Sequence, residues 1–199
     1  MLENQDYRFL VINGTMQSVM DRHHPSRIVF PHQQILLHPL LSLAPQARVL
    51  ELGLGGGSAL RHAVYHYPQL DWQCVEHSSE VISLFWEYFA PPVELQSQHI
   101  ILQDSVTYIQ NLPVQSRFEL ILCDVYDELQ YPLMEACIHH LADDGILMVN
   151  WLPHVQPQGE QSADFFRRLS EQHGLTHQLN LVPGFGNQIH RLVKATGQE

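Results

Sequence analysis

The fold of this chain is decided by residues 48–60, which read Arg48-Val49-Leu50-Glu51-Leu52-Gly53-Leu54-Gly55-Gly56-Gly57-Ser58-Ala59-Leu60. The part from Val49 to Leu52 is typical of a buried strand, and the glycines that follow permit positive φ and a close approach of the backbone to a ligand. Ser58 is expected to cap the helix that begins there. A helix N-terminus behind a glycine loop presents free N–H groups, so the stretch predicts a site for an anionic or polar ligand.

An acidic residue at the end of the next predicted strand makes this loop a candidate nucleoside site. The strand runs from Asp71 to Glu76, and an acid about 20 residues beyond such glycines can accept hydrogen bonds from ribose hydroxyls. A tight strand–helix connection is the alternative interpretation of the glycines alone. The lysine of a phosphate-binding P-loop is missing, which argues against ATP or GTP. Gly53, Gly55, Gly57 and Glu76 are therefore predicted to hold a nucleoside.

The composition is that of an acidic globular protein. The chain has 199 residues, 45% of them hydrophobic, and a formal net charge of −11. One domain with a full core is expected at this length, and the charge argues against nonspecific binding to nucleic acid or to an anionic membrane. The sequence has no apolar run of the ~20 residues of a membrane helix and no signal-peptide pattern. We therefore expect a cytoplasmic protein in which Cys74, Cys123 and Cys137 are buried and reduced.

The N-terminal region predicts a β-hairpin. Asn13-Gly14 stands between two β-prone runs, which is a strong hairpin signal. We expect residues 1–25 to form this hairpin unit and residues 26–199 to form one nucleoside-binding domain. An exposed hairpin edge can pair with a second copy, so a homodimer is a further expectation. A helical pattern follows over 32–43, with a break at Pro39.

Strands and helices alternate through the rest of the chain. This alternation predicts an α/β fold with a mainly parallel sheet that is covered on both faces. Asp144-Gly145 is expected to turn into a strand over 146–151. Segments 179–182 and 188–193 are expected to close the sheet as an antiparallel pair.

Three acids stand at the C-terminal ends of successive predicted strands, namely Glu76, Asp104 and Asp124. Ligands of open α/β sheets bind outside these strand ends. A helix N-cap or a solvated loop acid is the alternative for any one of the three. Together, behind a glycine turn, they predict one acid for ribose, one for an adenine amino group and one at the reacting centre.

Asp124 and Asp127 lie three residues apart on a loop that leaves a buried strand. Paired carboxylates can hold a cationic amine and accept its proton as the amine becomes a nucleophile. They can also bind a metal, but the sequence supplies no matching set of ligands, so no metal is expected. The helical pairs His62/His66 and His173/His177 lack a Glu or Cys partner and are interpreted as surface positions. No Gly-x-Ser-x-Gly elbow supports a hydrolase.

These residues resemble the polyamine aminopropyltransferases, which are spermidine synthase-like proteins on the Rossmann-like class I S-adenosylmethionine-dependent methyltransferase fold. The similarity extends from about Tyr7 to Val193. The matching features are the hairpin with Gln17, the motif Gly55-Gly56-Gly57, the acids Glu76 and Asp104, the pair Asp124 and Asp127, and the segment Gly186-Asn187-Gln188-Ile189.

The resemblance implies a role for each matching residue. Glu76 would bind the ribose of the donor and Asp104 would contact adenine. Three further residues are also expected to contact the donor, namely Ser58, His77 and Ser105. Asp124 would be the base that activates the amine. The remaining residues expected at the acceptor are Asp127, Gln17 and Tyr126. The implied donor is S-adenosylmethionine or its decarboxylated form, and the implied partner is a small amine-like acceptor.

The chain also departs from the family pattern. Ser58 follows the glycines where the family has the aspartate that holds the aminopropyl amino group, and Pro31 replaces an expected tyrosine. Asp127 is followed by Glu128 where proline is usual. Glu51 occupies the position at which methyltransferases place the acid that orients the methionine amino group. The nucleoside half of the site is therefore expected to be intact, while the polyamine half is altered.

Three functional hypotheses remain from the sequence. The leading one is a transferase that moves a methyl or aminopropyl group from an S-adenosylmethionine-type donor, with divergent group transfer slightly ahead of true spermidine synthesis. The second is a non-catalytic nucleoside-binding protein that kept the fold and lost the chemistry. A nicotinamide-dependent oxidoreductase is third, because the glycine spacing differs from Gly-x-Gly-x-x-Gly and no residue for hydride transfer is evident.

Overall fold

The structure is a computed structural model that describes residues 1–95, 99–125, 131–152 and 161–195. Its first unit is a three-stranded antiparallel sheet made of β1 (Leu2–Glu3), β2 (Tyr7–Ile12) and β3 (Thr15–Asp21). Asn13 and Gly14 join β2 to β3 with φ values of 50° and 76°, as a tight hairpin turn requires. The predicted hairpin is confirmed, and the division of the chain at residue 25 stays a prediction.

A short helical region connects the small sheet to the main one. Helix α1 spans Pro31–Leu36 and a 3₁₀ helix spans His38–Ser42. The sequence predicted one helical stretch with a break at Pro39, and the structure resolves it into these two pieces. Pro39 lies in the first turn of the 3₁₀ helix, where its missing N–H has no helical partner to lose.

The main sheet has seven strands in the order β6-β5-β4-β7-β8-β10-β9. Neighbouring strands from β6 to β8 are parallel, and β10 runs antiparallel to both β8 and β9. The strands are β4 (Arg48–Leu52), β5 (Asp71–Glu76), β6 (Ile100–Leu102), β7 (Phe118–Cys123), β8 (Leu141–Trp151), β9 (Leu175–Leu181) and β10 (Gln188–Lys194). The helices are α2 (Ser58–His66), α3 (Ser79–Tyr88), α4 (Ser105–Gln110), α5 (Tyr131–His139) and α6 (Ser162–His173). The predicted α/β fold with an antiparallel closing pair is confirmed.

The expected turn at Asp144-Gly145 is wrong, because both residues lie inside β8. The chain does bend there, since Asp144 has a φ of 59° and the register between β7 and β8 shifts between Phe118 and Leu120. A Cβ atom on Gly145 would lie 2.7 Å from the Ala142 carbonyl oxygen. The strand therefore begins earlier than predicted and passes through an irregularity that requires glycine.

Hydrophobic side chains cover both faces of the main sheet. Val49 belongs to one buried cluster and Leu50 to the other, as the alternation of side chains along a strand requires. The same alternation places Cys123 and Val149 in the second cluster, so the residues that follow them point to the first face. The three cysteines are buried, as predicted. Among the described residues, no helix is long and apolar enough to cross a bilayer.

Candidate functional site

The predicted acids lie at one edge of the main sheet. Glu76 is the last residue of β5, Asp104 follows β6, and Asp124 directly follows β7. Because β5, β6 and β7 run parallel to the strands beside them, their carboxyl ends share this edge. The sheet topology therefore brings the acids to the side of the sheet where the glycine loop leaves β4.

The glycine loop needs its glycines for backbone conformation and for close packing. Gly53, Gly55 and Gly57 have φ values of 95°, 52° and 67°, which side chains strongly disfavour. A Cβ atom on Gly53 would lie 2.6 Å from the backbone oxygen of Asp124, and one on Gly57 would lie 2.2 Å from the Phe85 ring. The loop therefore packs directly against the backbone of the predicted catalytic aspartate.

Most backbone donors of the loop itself are bonded inside the protein, and the expectation of free N–H groups at the start of the helix behind it stays a prediction. Four N–H groups of the loop have protein acceptors. The bonds run from Gly53 to the Val75 carbonyl (2.9 Å), from Leu54 to Glu76 Oε2 (3.1 Å), from Gly56 to Ser18 Oγ (2.8 Å) and from Gly57 to the Leu54 carbonyl (2.8 Å). These contacts hold the loop in one shape before any ligand arrives.

Ser58 does not cap α2, so that prediction is wrong. Gly57 occupies the cap position in a left-handed conformation, and no side chain caps the helix end. Ser58 is the first helical residue, and its Oγ donates to the Val19 carbonyl of the hairpin at 3.5 Å. Only 3% of Ser58 is exposed. This burial does not favour the expected contact between Ser58 and a donor.

Glu76 joins β5 to the glycine loop. Its buried carboxylate accepts hydrogen bonds from the N–H groups of Leu54 and Ser78, at 3.1 and 2.9 Å. An ionised carboxylate offers about four acceptor positions, so these two bonds leave capacity for ribose hydroxyls. The exposed His77 ring lies beside it, with Nδ1 at 3.2 Å from Glu76 Oε1.

Asp104 acts as a helix cap in the structure. Its Oδ1 accepts a hydrogen bond from the N–H of Thr107 at 2.7 Å, at the start of α4. This is the alternative role that the sequence left open for each acid. Ser105 follows inside the helix and is buried. Contacts of Asp104 and Ser105 with adenine stay predictions.

Glu51 lies inside the protein, and its expected contact with a methionine amino group stays a prediction. It is 4% exposed, and its Oε2 accepts a hydrogen bond from the Trp72 indole N–H at 2.9 Å. Burial raises the pKa of Glu51 to about 8, and the negative charge of Asp124 adds to this increase. Arg61 is also buried, and loss of hydration lowers its pKa to about 9. Trp72 belongs to the first buried cluster, so the Glu51 carboxylate lies among the side chains of that cluster.

Asp124 is half-buried and held from two directions. Its N–H donates to the Leu52 carbonyl at 2.9 Å, which fixes it beside the glycine loop. Its Oδ1 accepts a hydrogen bond from Asn150 Nδ2 at 2.7 Å, and Asn150 Oδ1 accepts one from Asn187 Nδ2 at 2.9 Å. Sequence reasoning missed Asn150, although it is a polar residue that directly follows the apolar run 146–149.

His32 is a second residue that sequence reasoning missed. It lies on α1 and is 6% exposed, and among the described residues its Nδ1 has no hydrogen-bond partner. Its ring stacks on Phe30 with centroids 4.9 Å apart. Burial lowers the pKa of His32, while the charge of Asp124 acts in the opposite direction. A neutral imidazole near Asp124 is therefore available to a polar ligand, and nothing distinguished it among 14 histidines.

The structure describes only one of the three remaining residues that were predicted at the acceptor. Tyr126 and Asp127 lie outside the described residues, so the paired-carboxylate hypothesis stays a prediction. Gln17 is half-buried on β3, next to Ser18. In the part of the chain that the structure describes, no group of three or more His, Cys, Asp or Glu side chains is arranged to hold a metal ion.

Comparisons with known proteins agree with the fold and with the family resemblance. No protein-family profile matches the chain. A polyamine aminopropyltransferase of Neisseria meningitidis is 30% identical over 148 residues, which cover 70% of this chain and 55% of the relative. One of Chromobacterium violaceum is 27% identical over 144 residues, covering 69% and 54%. The chain therefore spans about half the length of the curated relatives it matches.

Solved structures show the same fold at low sequence identity. A probable spermidine synthase of Corynebacterium glutamicum has a TM-score of 0.68 and 20% identity, covering 94% of this chain and 72% of that one. The spermidine synthase of Thermotoga maritima has a TM-score of 0.67 and 18% identity, covering 94% and 65%. Human methyltransferase-like protein 13, solved with SAH, has a TM-score of 0.62 and 15% identity, covering 88% and 79%.

Proposed function

The chain is a relative of the polyamine aminopropyltransferases on a class I methyltransferase-like fold, and we propose that it is a group transferase. Its donor would be a sulfonium nucleoside of the S-adenosylmethionine type, and its acceptor a small amine. One observation carries the proposal: Asp124, at the end of β7, packs against the loop that leaves β4, while Asn150 fixes its side chain. A carboxylate held in this way can receive a proton from an amine bound above the sheet edge.

The residues present fit a nucleoside donor. Glu76 would bind the ribose with its remaining acceptor positions, because its two backbone bonds already fix its orientation. Asp104 would contact adenine while it caps α4. The preformed glycine loop provides a surface that needs no rearrangement on binding, which lowers the entropic cost of holding the donor.

Asp124 would do the acid–base chemistry. When bound, the donor supplies a carbon whose bond to sulfur breaks, with the electron pair left on a neutral thioether, as the acceptor nitrogen forms the new bond with its lone pair. An aliphatic ammonium has an ordinary pKa near that of lysine, about 10.4, so it must first lose a proton. Asp124 would take this proton. Nδ1 of His32, which is buried and has no hydrogen-bond partner among the described residues, would help to orient the amine.

Between the two donors, the structure supports aminopropyl transfer over methyl transfer. The sequence argument for the intact methionine form depended on Glu51, which is buried and bonded to Trp72. The argument against polyamine chemistry depended partly on Ser58, which faces the hairpin. Burial of Glu51 therefore weakens the argument for the intact form, although the aspartate that Ser58 replaces is still absent. The curated relatives are named polyamine aminopropyltransferases. We propose the decarboxylated donor, with methyl transfer as the second candidate.

Calorimetric titration of the purified protein with each donor form tests this proposal. A clear preference for the decarboxylated form would support aminopropyl transfer, and turnover would then be followed with short diamines as acceptors. Preference for the intact form would support the methyl-transfer candidate. Binding without turnover of any amine would favour the non-catalytic hypothesis. Failure to bind either form would contradict the nucleoside site.

A further inference from the structure

A line of polar side chains crosses three neighbouring strands at Asp124. Asn150 Nδ2 donates to Asp124 Oδ1 at 2.7 Å, and Asn187 Nδ2 donates to Asn150 Oδ1 at 2.9 Å. Asn150 is fully buried and Asn187 is 8% exposed. Buried amides are costly unless they are hydrogen-bonded, so this line of bonds fixes all three side chains together.

The sheet register explains why these residues meet. Cys123 on β7 pairs with Val149 on β8, so the next residues, Asp124 and Asn150, are also neighbours. Asn150 is paired in turn with Ile189 on β10, and Asn187 comes just before that strand. Alternation along the strands directs all three to the face that α1 covers.

The Asp124 carboxylate determines which way the Asn150 amide points. An amide can offer either its oxygen or its nitrogen to a neighbour, and the hydrogen-bond network decides between them. An ionised carboxylate only accepts, so the Asn150 nitrogen faces Asp124. The Asn150 oxygen is then left on the other side, where Asn187 donates to it and holds the amide in place.

We propose that Asn150 and Asn187 are positioning residues that occupy Oδ1 of Asp124 and leave Oδ2 to take the proton of the acceptor amine. This inference rests on the proposed function. The Asn150 bond holds one oxygen of the carboxylate, so it fixes the direction in which the other oxygen faces a bound amine. Neither asparagine would contact the reacting atoms.

Titratable groups on two other elements also face Asp124. His32 approaches from α1, and Glu51 approaches from β4. Each of them affects Asp124 through charge only when it is ionised, whereas Asn150 is joined to Asp124 by a direct hydrogen bond. Substitutions of the asparagines leave these two groups in place, so a change in the behaviour of Asp124 can be assigned to the amides.

The first test needs no enzymatic activity. The side-chain carboxyl carbon of Asp124 is followed by ¹³C NMR as the pH is lowered, in the wild type, Asn150→Leu and Asn187→Leu. Loss of the donor should move the midpoint of this titration to higher pH in Asn150→Leu, by about one pH unit, which is a tenfold change in proton affinity. Asn187→Leu should shift it the same way by less, because Asn150 keeps its bond to Asp124 but loses the partner that holds its own amide in place.

Asn180→Leu is the matched control. Asn180 also lies beside Ile189, but on β9, on the side away from β8, so its substitution should leave the Asp124 midpoint unchanged. An unchanged midpoint in folded Asn150→Leu would overturn the proposal. If that variant does not fold, the wild type provides the test. The NMR signals of the Asn150 side-chain amide should then shift at the same pH as the Asp124 carboxyl carbon. Amide signals that do not shift there would overturn the proposal.

The second test uses turnover and separates this inference from the proposed function. In Asn150→Leu, kcat should fall at least tenfold, the KM for the donor should stay within about twofold, and the acid limb of the pH–rate profile should move to higher pH. Loss of kcat with an unmoved acid limb would indicate a merely structural role. If the wild type binds no donor but the NMR shift is present, the proposed function fails and the positioning of Asp124 stands.

Discussion

The side-chain oxygen of Ser18, on the N-terminal hairpin, accepts a hydrogen bond from the backbone N–H of Gly56, in the glycine loop, at 2.8 Å. Ser18 is 2% exposed, so water does not replace this bond. Two further bonds join the same regions, from Ser58 Oγ to the Val19 carbonyl and from Arg61 Nε to the Pro25 carbonyl. The hairpin therefore holds the loop that is proposed to carry the donor.

Ser18→Ala should destabilise the protein and weaken donor binding together. The variant leaves the Gly56 N–H buried without an acceptor, which typically costs about 1–3 kcal/mol. Urea denaturation would measure the loss of stability, and calorimetry the loss of affinity. Ser83→Ala is the control, because the Ser83 hydroxyl donates to the Ser79 carbonyl at an exposed position of α3; it should leave both quantities nearly unchanged. Full stability in Ser18→Ala would contradict this role of the hairpin.

Asp124→Asn should abolish turnover and leave donor affinity nearly intact. The amide keeps the shape of the carboxylate but cannot accept the proton of the amine, and such loss typically lowers kcat by about 10²–10⁴-fold. Steady-state kinetics and calorimetry on the same preparation measure both effects. Asp164→Asn, at an exposed position of α6, is the matched control. Wild-type turnover in Asp124→Asn would remove Asp124 from the mechanism.

Substitutions of Asp104 should separate its capping role from its proposed contact with adenine. Asn is as good an N-cap as Asp, so Asp104→Asn should retain stability, whereas Asp104→Ala should lose about 1 kcal/mol. If the carboxylate also binds adenine, the Asn variant should lose about tenfold in donor affinity, because a charge-assisted bond is replaced. Thermal unfolding and calorimetry give the two readouts. Equal donor affinity in both variants and the wild type would contradict the contact of Asp104 with adenine and leave only its capping role.

Glu51→Gln should remove a pH dependence of stability at neutral pH. The pKa of Glu51 is about 8 in the folded protein, above its ordinary value of 4.5. Between pH 4.5 and about 8, Glu51 is therefore protonated in the folded state and ionised in the unfolded state. The free energy of unfolding falls as the pH rises through this range. The slope is at most about 1.4 kcal/mol per pH unit for one group. Urea denaturation at several pH values should show a flatter profile for the variant, and an identical slope would contradict the burial of an ionisable Glu51.

His190→Leu should remove a contribution of opposite sign. Burial lowers the pKa of His190 to about 3, and its ring stacks on Phe166 at 4.0 Å. At pH values below 6.5, the ordinary pKa of histidine, His190 is protonated in the unfolded chain but stays neutral in the folded protein. Stability therefore falls as the pH drops from 6.5 towards 3. The variant should lose this acid sensitivity, while His139→Leu, at an exposed position, should keep it.

Local patterns in the sequence were enough for the fold and for the placement of the acids. Asn13-Gly14 predicts its turn because few residues tolerate positive φ in succession. Alternating strands and helices predict a parallel sheet, and a parallel sheet brings strand ends such as Glu76 and Asp124 to one edge. These features depend on residues that are close in the chain, so the sequence by itself determined them.

Only the tertiary structure decided which hydrogen-bond partners those residues have and which of them are buried. Ser18 bonds to Gly56 across 38 residues, and Asn150 bonds to Asp124 across 26. Burial of Glu51 and the direction of Ser58 likewise depend on Trp72 and on the hairpin, which no local pattern connects to them. A side chain is buried or exposed, and donates to one acceptor or another, according to which distant segments pack beside it; that is the physical reason the sequence could place the acids at the site but not assign their partners.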